Sequence, residues 1–260
     1  GADNGVLSRC PSARSSCWSE SQAYTLAAPD VISLLQREHT AAALFAEAWA
    51  RAEGERGVGR ALQLARARRH REAAQNLTET LNARLWRADL GYHIALNVSA
   101  GRTTPAPILS KTYAIAYPLW ARLVDAAQAA AIARTLGSPE MLSDVGLRSA
   151  SSDDPRYSNA DTIIPYSNWR GPAWVNVNAM ACYGLAAYGH KKLALEIASR
   201  VTAALARDLR NRTRSTWHEA YSTDDGQPIG GAGFLSWDTL SAELLSNLQS
   251  EVDPFRLEPQ

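Results

Sequence analysis

The strongest constraint in this chain is its hydrophobic spacing, which follows a helical period through most of the sequence and almost never alternates as a strand would. Residues 30–52 place Ile32, Leu35, Ala42, Phe45 and Trp49 on one stripe, with Asp30 as a good N-cap. A second helical stretch covers 58–85 with no proline in it. A third begins near Thr112, where Tyr113, Ala116, Tyr117, Trp120, Leu123 and Val124 share one face and Pro118 predicts a kink or a late first turn. An alanine-rich stretch at 126–136 is closed by Gly137 and Pro139. Further helices are expected at 172–188, opened by Pro172 and stopped by Gly189, at 191–209, with Leu193, Ile197, Val201 and Leu205 as the buried stripe, and at 237–248. The only strand-like piece is at 91–98, so the spacing predicts an all-α chain of about seven or eight helices.

A length of 260 residues can bury one sizeable core, and 1–260 is read as a single domain. The 27 Lys and Arg nearly balance the 26 Asp and Glu, which gives no electrostatic reason to expect nucleic acid or an acidic membrane surface as partner. The one basic run, 66–71, falls in a helical pattern and reads as a solvated face. No stretch approaches the roughly 20 consecutive apolar residues of a membrane-spanning helix. Cys10 and Cys17 could close a small disulfide loop, whereas Cys182 reads as a small buried hydrophobe. Sequons at Asn76, Asn97 and Asn211 lean toward a lumenal or secreted protein.

Three segments could carry chemistry. The first is the opening Gly-Ala-Asp3-Asn-Gly, an acidic residue in a turn-forming context that composition alone would equally assign to a terminus. The second runs from Tyr166 to Asn178 and crowds Trp169, Arg170 and Trp174 together at the end of a long irregular stretch, 147–171. Such aromatics either anchor a helix start or offer apolar faces on which pyranose rings stack. The third is Trp217-His-Glu219-Ala-Tyr221-Ser222, followed by Asp225-Gly226 and by Phe234-Leu-Ser-Trp237. A Glu between aromatics is usually a surface carboxylate, yet apolar neighbours can tune one for acid–base work. The five His form no ligand-like cluster, and the Gly230–Gly233 run lacks the Lys-Ser/Thr of a phosphate loop, so no metal or cofactor is expected.

Taken together and in order, these segments resemble glycoside hydrolase family 63, which includes the processing α-glucosidase I and the mannosylglycerate and glucosylglycerate hydrolases. The most specific match is Trp169-Arg-Gly-Pro-x-Trp174-x-Asn-x-Asn178, followed by Glu219-x-Tyr221-Ser222, by Phe234-x-Ser-Trp237 and by the Gly146-Leu-Arg148-Ser149 loop. The opening Gly-x-Asp3 matches the element that carries the family's catalytic acid. The resemblance implies an (α/α)6 barrel, of which this chain holds the C-terminal part, with the missing N-terminal helices supplied by the same or another chain. It implies an inverting exo-α-glycosidase with Asp3 as general acid and Glu219 as general base. Arg148, Trp169, Arg170, Trp174, Tyr221 and Trp237 would line the pocket for a carbohydrate substrate. A non-catalytic relative, retained as a structural or carbohydrate-binding subunit, is the rival; the Gly5-Val6-Leu7 that follows Asn4, unlike the family's usual continuation, favours it. A trehalase of a related barrel family fits the second segment less well.

Overall fold

The structure, a computed structural model, describes residues 26–54, 59–98, 104–160, 168–213 and 215–257. Asp3, Cys10 and Cys17 lie outside the described residues. Those described form seven α-helices: α1 (Pro29–Ala52), α2 (Arg60–Thr80), α3 (Tyr117–Trp120), α4 (Ala126–Leu136), α5 (Val175–Ala187), α6 (Lys191–Arg210) and α7 (Ser241–Gln249). They alternate between two layers along the chain. An inner row is made by α1 against α3, α3 against α5 and α5 against α7, while α2 packs along α1 and α6 along α5 on the outside. This is the inner-and-outer helix pairing of an (α/α)6 barrel.

Side-chain size decides the layers. Helix α5 is apolar nearly all round, and Val175, Val177, Ala179, Ala181, Cys182, Tyr183 and Leu185 are all buried, as befits a central helix. Its Gly184 lets α3 touch backbone to backbone, because a Cβ there would sit 2.6 Å from the Trp120 amide nitrogen and 2.8 Å from Leu119 Cβ. Helix α1 departs from expectation. Its buried positions are Pro29, Ile32, Ser33, Ala43, Ala46 and Ala50, whereas Leu35, Phe45 and Trp49 are exposed, Phe45 by 66%. Small residues face α2, where Ala67 and Ala74 are buried in turn, so bulk was a poor guide to the buried stripe.

Several boundaries also move. Pro29 rather than Asp30 opens α1; its ring suits the first helical turn, and Ala28 is the extended cap residue. Helix α2 gives way to one π-type turn at Leu81–Leu85. The stretch after Thr112 is a 3-10 turn, Tyr113–Ala116, capped by the Thr112 hydroxyl, followed by the single turn of α3 with Pro118 in its opening. Pro172 does not start α5. Ala173 is drawn into a two-bond bridge with Tyr221, which keeps 172–174 extended until Val175. Helix α4 begins on a reciprocal cap between Asp125 and Gln128.

The expectation that strands would be nearly absent is corrected as well. Nine short strands occur among the described residues: β1 (Leu26–Ala27), β2 (Trp86–Arg87), β3 (Tyr92–His93), β4 (Ala95–Asn97), β5 (Ala106–Ile108), β6 (Leu142–Ser143), β7 (Gly146–Leu147), β8 (His218–Tyr221) and β9 (Pro228–Ala232). They pair antiparallel as β1–β4–β5, β2–β3, β6–β7 and β8–β9. None exceeds five residues, too few for an alternating pattern to emerge from the sequence. They line the connections rather than form a layer.

Candidate active site

A chain of contacts joins the N-terminal starts of the inner helices. The Tyr113 hydroxyl donates to Asp30 Oδ2 (3.1 Å) in the first turn of α1. Tyr113 also lies against Trp169, with ring centroids 5.3 Å apart. Trp169 stacks flat on Trp174, at 3.9 Å and 8°, just before α5. Trp174 meets Trp237 at 5.8 Å, and Trp237 meets Phe234 at 4.7 Å, just before α7. Trp169, Arg170 and Trp174 are buried, while Trp237 and Phe234 keep partly open faces. Asn168 organises the row. It accepts the Arg170 amide on Oδ1, donates from Nδ2 to the carbonyls of Ser158 and Ala160, and takes the Trp174 indole N–H on its own carbonyl (3.0 Å). Burial, reinforced by the Arg156 charge and opposed by Asp154, lowers the pKa of the Arg170 guanidinium from its ordinary value.

Glu219 sits on β8, and β9 is shaped around it. Gly230 has φ +81°, and a Cβ there would fall 2.8 Å from Glu219 Oε2 and 3.0 Å from Glu219 Cβ. The residues on either side of Glu219 are tied to one buried carboxylate. Asp208 Oδ2 accepts from His218 Nδ1 at 2.7 Å and from the Tyr221 hydroxyl at 3.1 Å, and the carboxylate opposite places the imidazole proton on Nδ1. Burial raises the Tyr221 phenol well above its ordinary range, so it stays a donor. Tyr221, expected to line the pocket, is thus fully buried and holds β8 to α6.

Two carboxylates escape a reading of the sequence alone. Asp208 follows Val201, Ala204 and Leu205 on the buried face of α6, and an acidic residue continuing an apolar stripe was the available signal. Asp238, directly after Trp237, is fully buried, and neither carboxyl oxygen has a hydrogen-bond partner among the described residues. Burial, with the charges of Asp208 and Glu219 added, pushes its carboxyl up to about 7. Coming straight after the Phe234-Leu-Ser-Trp237 stretch, it gave no such sign in sequence.

Arg148 stands apart from this row. It donates to the Pro139 carbonyl (3.0 Å) and to the Tyr157 hydroxyl (3.3 Å). With Arg207, Asp144, Asp224 and Asp225 it borders an open cavity of about 600 Å³, which neither Glu219 nor the tryptophans line. The Tyr157 hydroxyl also donates to Asp224 Oδ1 (2.6 Å), pinning the long 147–171 connection to the turn that follows β8.

Comparison with known proteins agrees with this architecture. The family model of the mannosylglycerate hydrolase MGH1-like glycoside hydrolase domain matches residues 25–237, a stretch that holds every site residue named above except Asp3 and Asp238. A mannosylglycerate hydrolase of Thermus thermophilus is 30% identical over 158 residues, covering 61% of this chain and 34% of that protein. The mannosylglycerate hydrolase MGH1 of Selaginella moellendorffii is 33% identical over 130 residues, covering 46% of this chain and 25% of that protein. Among solved structures, a GH63 mannosylglycerate hydrolase of Thermus thermophilus, in complex with Tris and D-glycerate, superposes with a TM-score of 0.57 at 25% identity, over 85% of this chain and 46% of that one. Neutral trehalase Nth1 of Saccharomyces cerevisiae reaches 0.60 at 17% identity, over 92% of this chain and 43% of that one, and shares the fold alone. The chain spans about a third or less of these curated relatives and under half of these solved chains.

Proposed function

The chain belongs to the mannosylglycerate hydrolase MGH1-like glycoside hydrolase family, and from that premise we propose that it serves an inverting exo-α-glycosidase, releasing a terminal α-mannosyl or α-glucosyl residue from a small glycoside such as a glycoside of glycerate. The observation that carries this reading is the seat of Glu219, backed by a glycine that no side chain could replace without contact and flanked by two residues anchored on Asp208. In this reaction Glu219 takes a proton from water as the water oxygen bonds to the anomeric carbon from the face opposite the leaving group. The glycosidic C–O bond breaks at the same time, and Asp3 gives its proton to the departing oxygen. Inversion requires the two carboxyls to stand about 6.5–9.5 Å apart, leaving room for that water. The partly open faces of Trp237 and Phe234 offer the stacking surface for the sugar, and the buried Trp169–Trp174 pair supports them.

The test is hydrolysis of α-mannosylglycerate and α-glucosylglycerate followed by proton NMR within the first turnovers. The β-anomer of the free sugar should form first, and Glu219→Gln should lower kcat by about a thousandfold or more with the fold intact. First release of the α-anomer would exclude inversion. A second reading, a non-catalytic subunit of an assembly, draws on the apolar face that α1 exposes at Val31, Leu34, Leu35, Phe45 and Trp49. A folded chain that turns over no α-glycoside and elutes as a larger assembly would favour it.

A further inference from the structure

The sequons at Asn76, Asn97 and Asn211 take no part in the site, and the fold treats them differently. An acceptor for N-linked sugar belongs in a surface loop, where its three residues can be gripped by the transferring enzyme and the sugar can stand in water. Asn76 is exposed, but its whole sequon lies inside α2, and the Thr78 hydroxyl donates to the Ala74 carbonyl one turn back (3.0 Å). Asn97 ends β4, the middle strand of its sheet, and is paired with Leu26 of β1 on one side and Ala106 of β5 on the other.

Asn211 alone of the three stands in a loop, at the end of α6 where the chain turns toward β8. Its backbone is extended, with ψ 112°, and Arg212 and Thr213 after it are exposed. Its Oδ1 accepts from both the Thr213 amide (3.0 Å) and the Thr213 hydroxyl (2.6 Å), closing the sequon on itself. The Asn211 carbonyl accepts from the Ser215 amide (2.8 Å) and hydroxyl (3.0 Å), which fixes the turn without the side chain. Because the carboxamide oxygen faces the turn, the nitrogen on the other side of Cγ faces away from it. All these partners lie within four residues, so the turn can form before the rest of the chain has folded. A sugar on Nδ2 leaves both bonds to Oδ1 in place.

We propose that Asn211 is an N-glycosylation site, accepting an oligosaccharide from a lipid-linked diphosphate donor. In that transfer Nδ2 bonds to the anomeric carbon of the first sugar. The bond from that carbon to the diphosphate oxygen breaks, the lipid diphosphate leaves with the electron pair, and one Nδ2 proton passes to a base of the transferring enzyme. The inference does not depend on the hydrolytic reading, since Asn211 is no part of the machinery proposed for it.

The decisive experiment is peptide mass spectrometry of the full chain, isolated from the cells that make it and treated with peptide N-glycosidase in heavy-oxygen water. That enzyme converts a glycosylated Asn to an Asp that carries the heavy oxygen. The label should fall on position 211, and an unlabelled Asn211 would overturn the proposal whether or not Asn76 or Asn97 is labelled. Gel electrophoresis of the chain secreted from eukaryotic cells gives a second readout. Asn211→Gln and Thr213→Ala should each lose the shift that glycosidase treatment removes, while Thr213→Ser keeps it. A shift left unchanged by both losses would place the sugar elsewhere and refute the assignment. Should Asn211→Gln fail to fold, Thr213→Ala decides, because it keeps Asn211 and its bond from the backbone amide.

Discussion

Gly230→Ala probes the seat of Glu219, the base of the proposed hydrolysis, and two nearby glycines provide its controls. The φ of +81° at Gly230 is one an alanine adopts only with about 1–2 kcal/mol of strain. The added Cβ would then stand 2.8 Å from Glu219 Oε2, against 3.4 Å for the start of ordinary contact, so the carboxylate must retreat by 0.6 Å or the strand must part. A misplacement of about 1 Å in a reacting group can cost about a hundredfold in rate, so a kcat loss of roughly 10- to 100-fold is expected. Gly233 has nearly the same φ, +79°, but nothing within 4 Å of an added methyl group, so Gly233→Ala carries the strain without the clash. Gly231 has neither a positive φ nor a neighbour within 4 Å, and its alanine variant should be within about 0.5 kcal/mol of wild type. Denaturant unfolding and kcat on α-mannosylglycerate should therefore separate the three. Gly231→Ala changes neither quantity, Gly233→Ala lowers stability alone, and Gly230→Ala lowers both. Full activity in Gly230→Ala, with a stability loss equal to that of Gly233→Ala, would show that Glu219 does not act from this position.

Two further outcomes follow from packing and titration. Gly184→Ala should destabilise the chain by about 1–3 kcal/mol or more, read by thermal unfolding, because its methyl group would meet the Trp120 backbone, which has little freedom to yield. Asp238 should make stability fall as pH rises from about 4 to about 7, since its folded pKa lies above the ordinary carboxyl value and the folded state binds more protons in that window. Asp238→Asn should remove this slope and stabilise the fold near pH 7 by on the order of a few kcal/mol, measured by urea unfolding at several pH values. A variant less stable than wild type at pH 7 would mean that the Asp238 anion is supported by a bond of its own.

The helical periodicity and the aromatic-rich segments could be read from the sequence because each is a local property. Spacing along one helix predicts that helix, and Leu136–Gly137 or Tyr188–Gly189 marks its end, whatever the rest of the chain does. What the neighbours do could not be read. The bulky residues of α1 suggested a buried stripe through Phe45 and Trp49, yet the alanine face is buried because α2 approaches closely there. Pro172 has the marks of a helix start, but Ala173 is claimed by Tyr221, 48 residues away. Asp208 and Asp238 are both buried, one on the inner face of an amphipathic helix and the other after a tryptophan, where the chain neighbours do not reveal it.

By itself, then, the sequence determined most of the helices, their approximate ends and the aromatic-rich segments, all set by interactions within a few residues. Only the tertiary structure decided which faces are buried, that the inner helices bring Tyr113, Trp169, Trp174 and Trp237 into one row, and that Asp208 is buried where His218 and Tyr221 bond to it. The physical reason is that burial and charge coupling depend on what lies across a gap in space. A carboxyl's protonation is set by its burial, its nearest charges and its hydrogen-bond donors, and the charges that act on Asp238 come from two other elements of the fold.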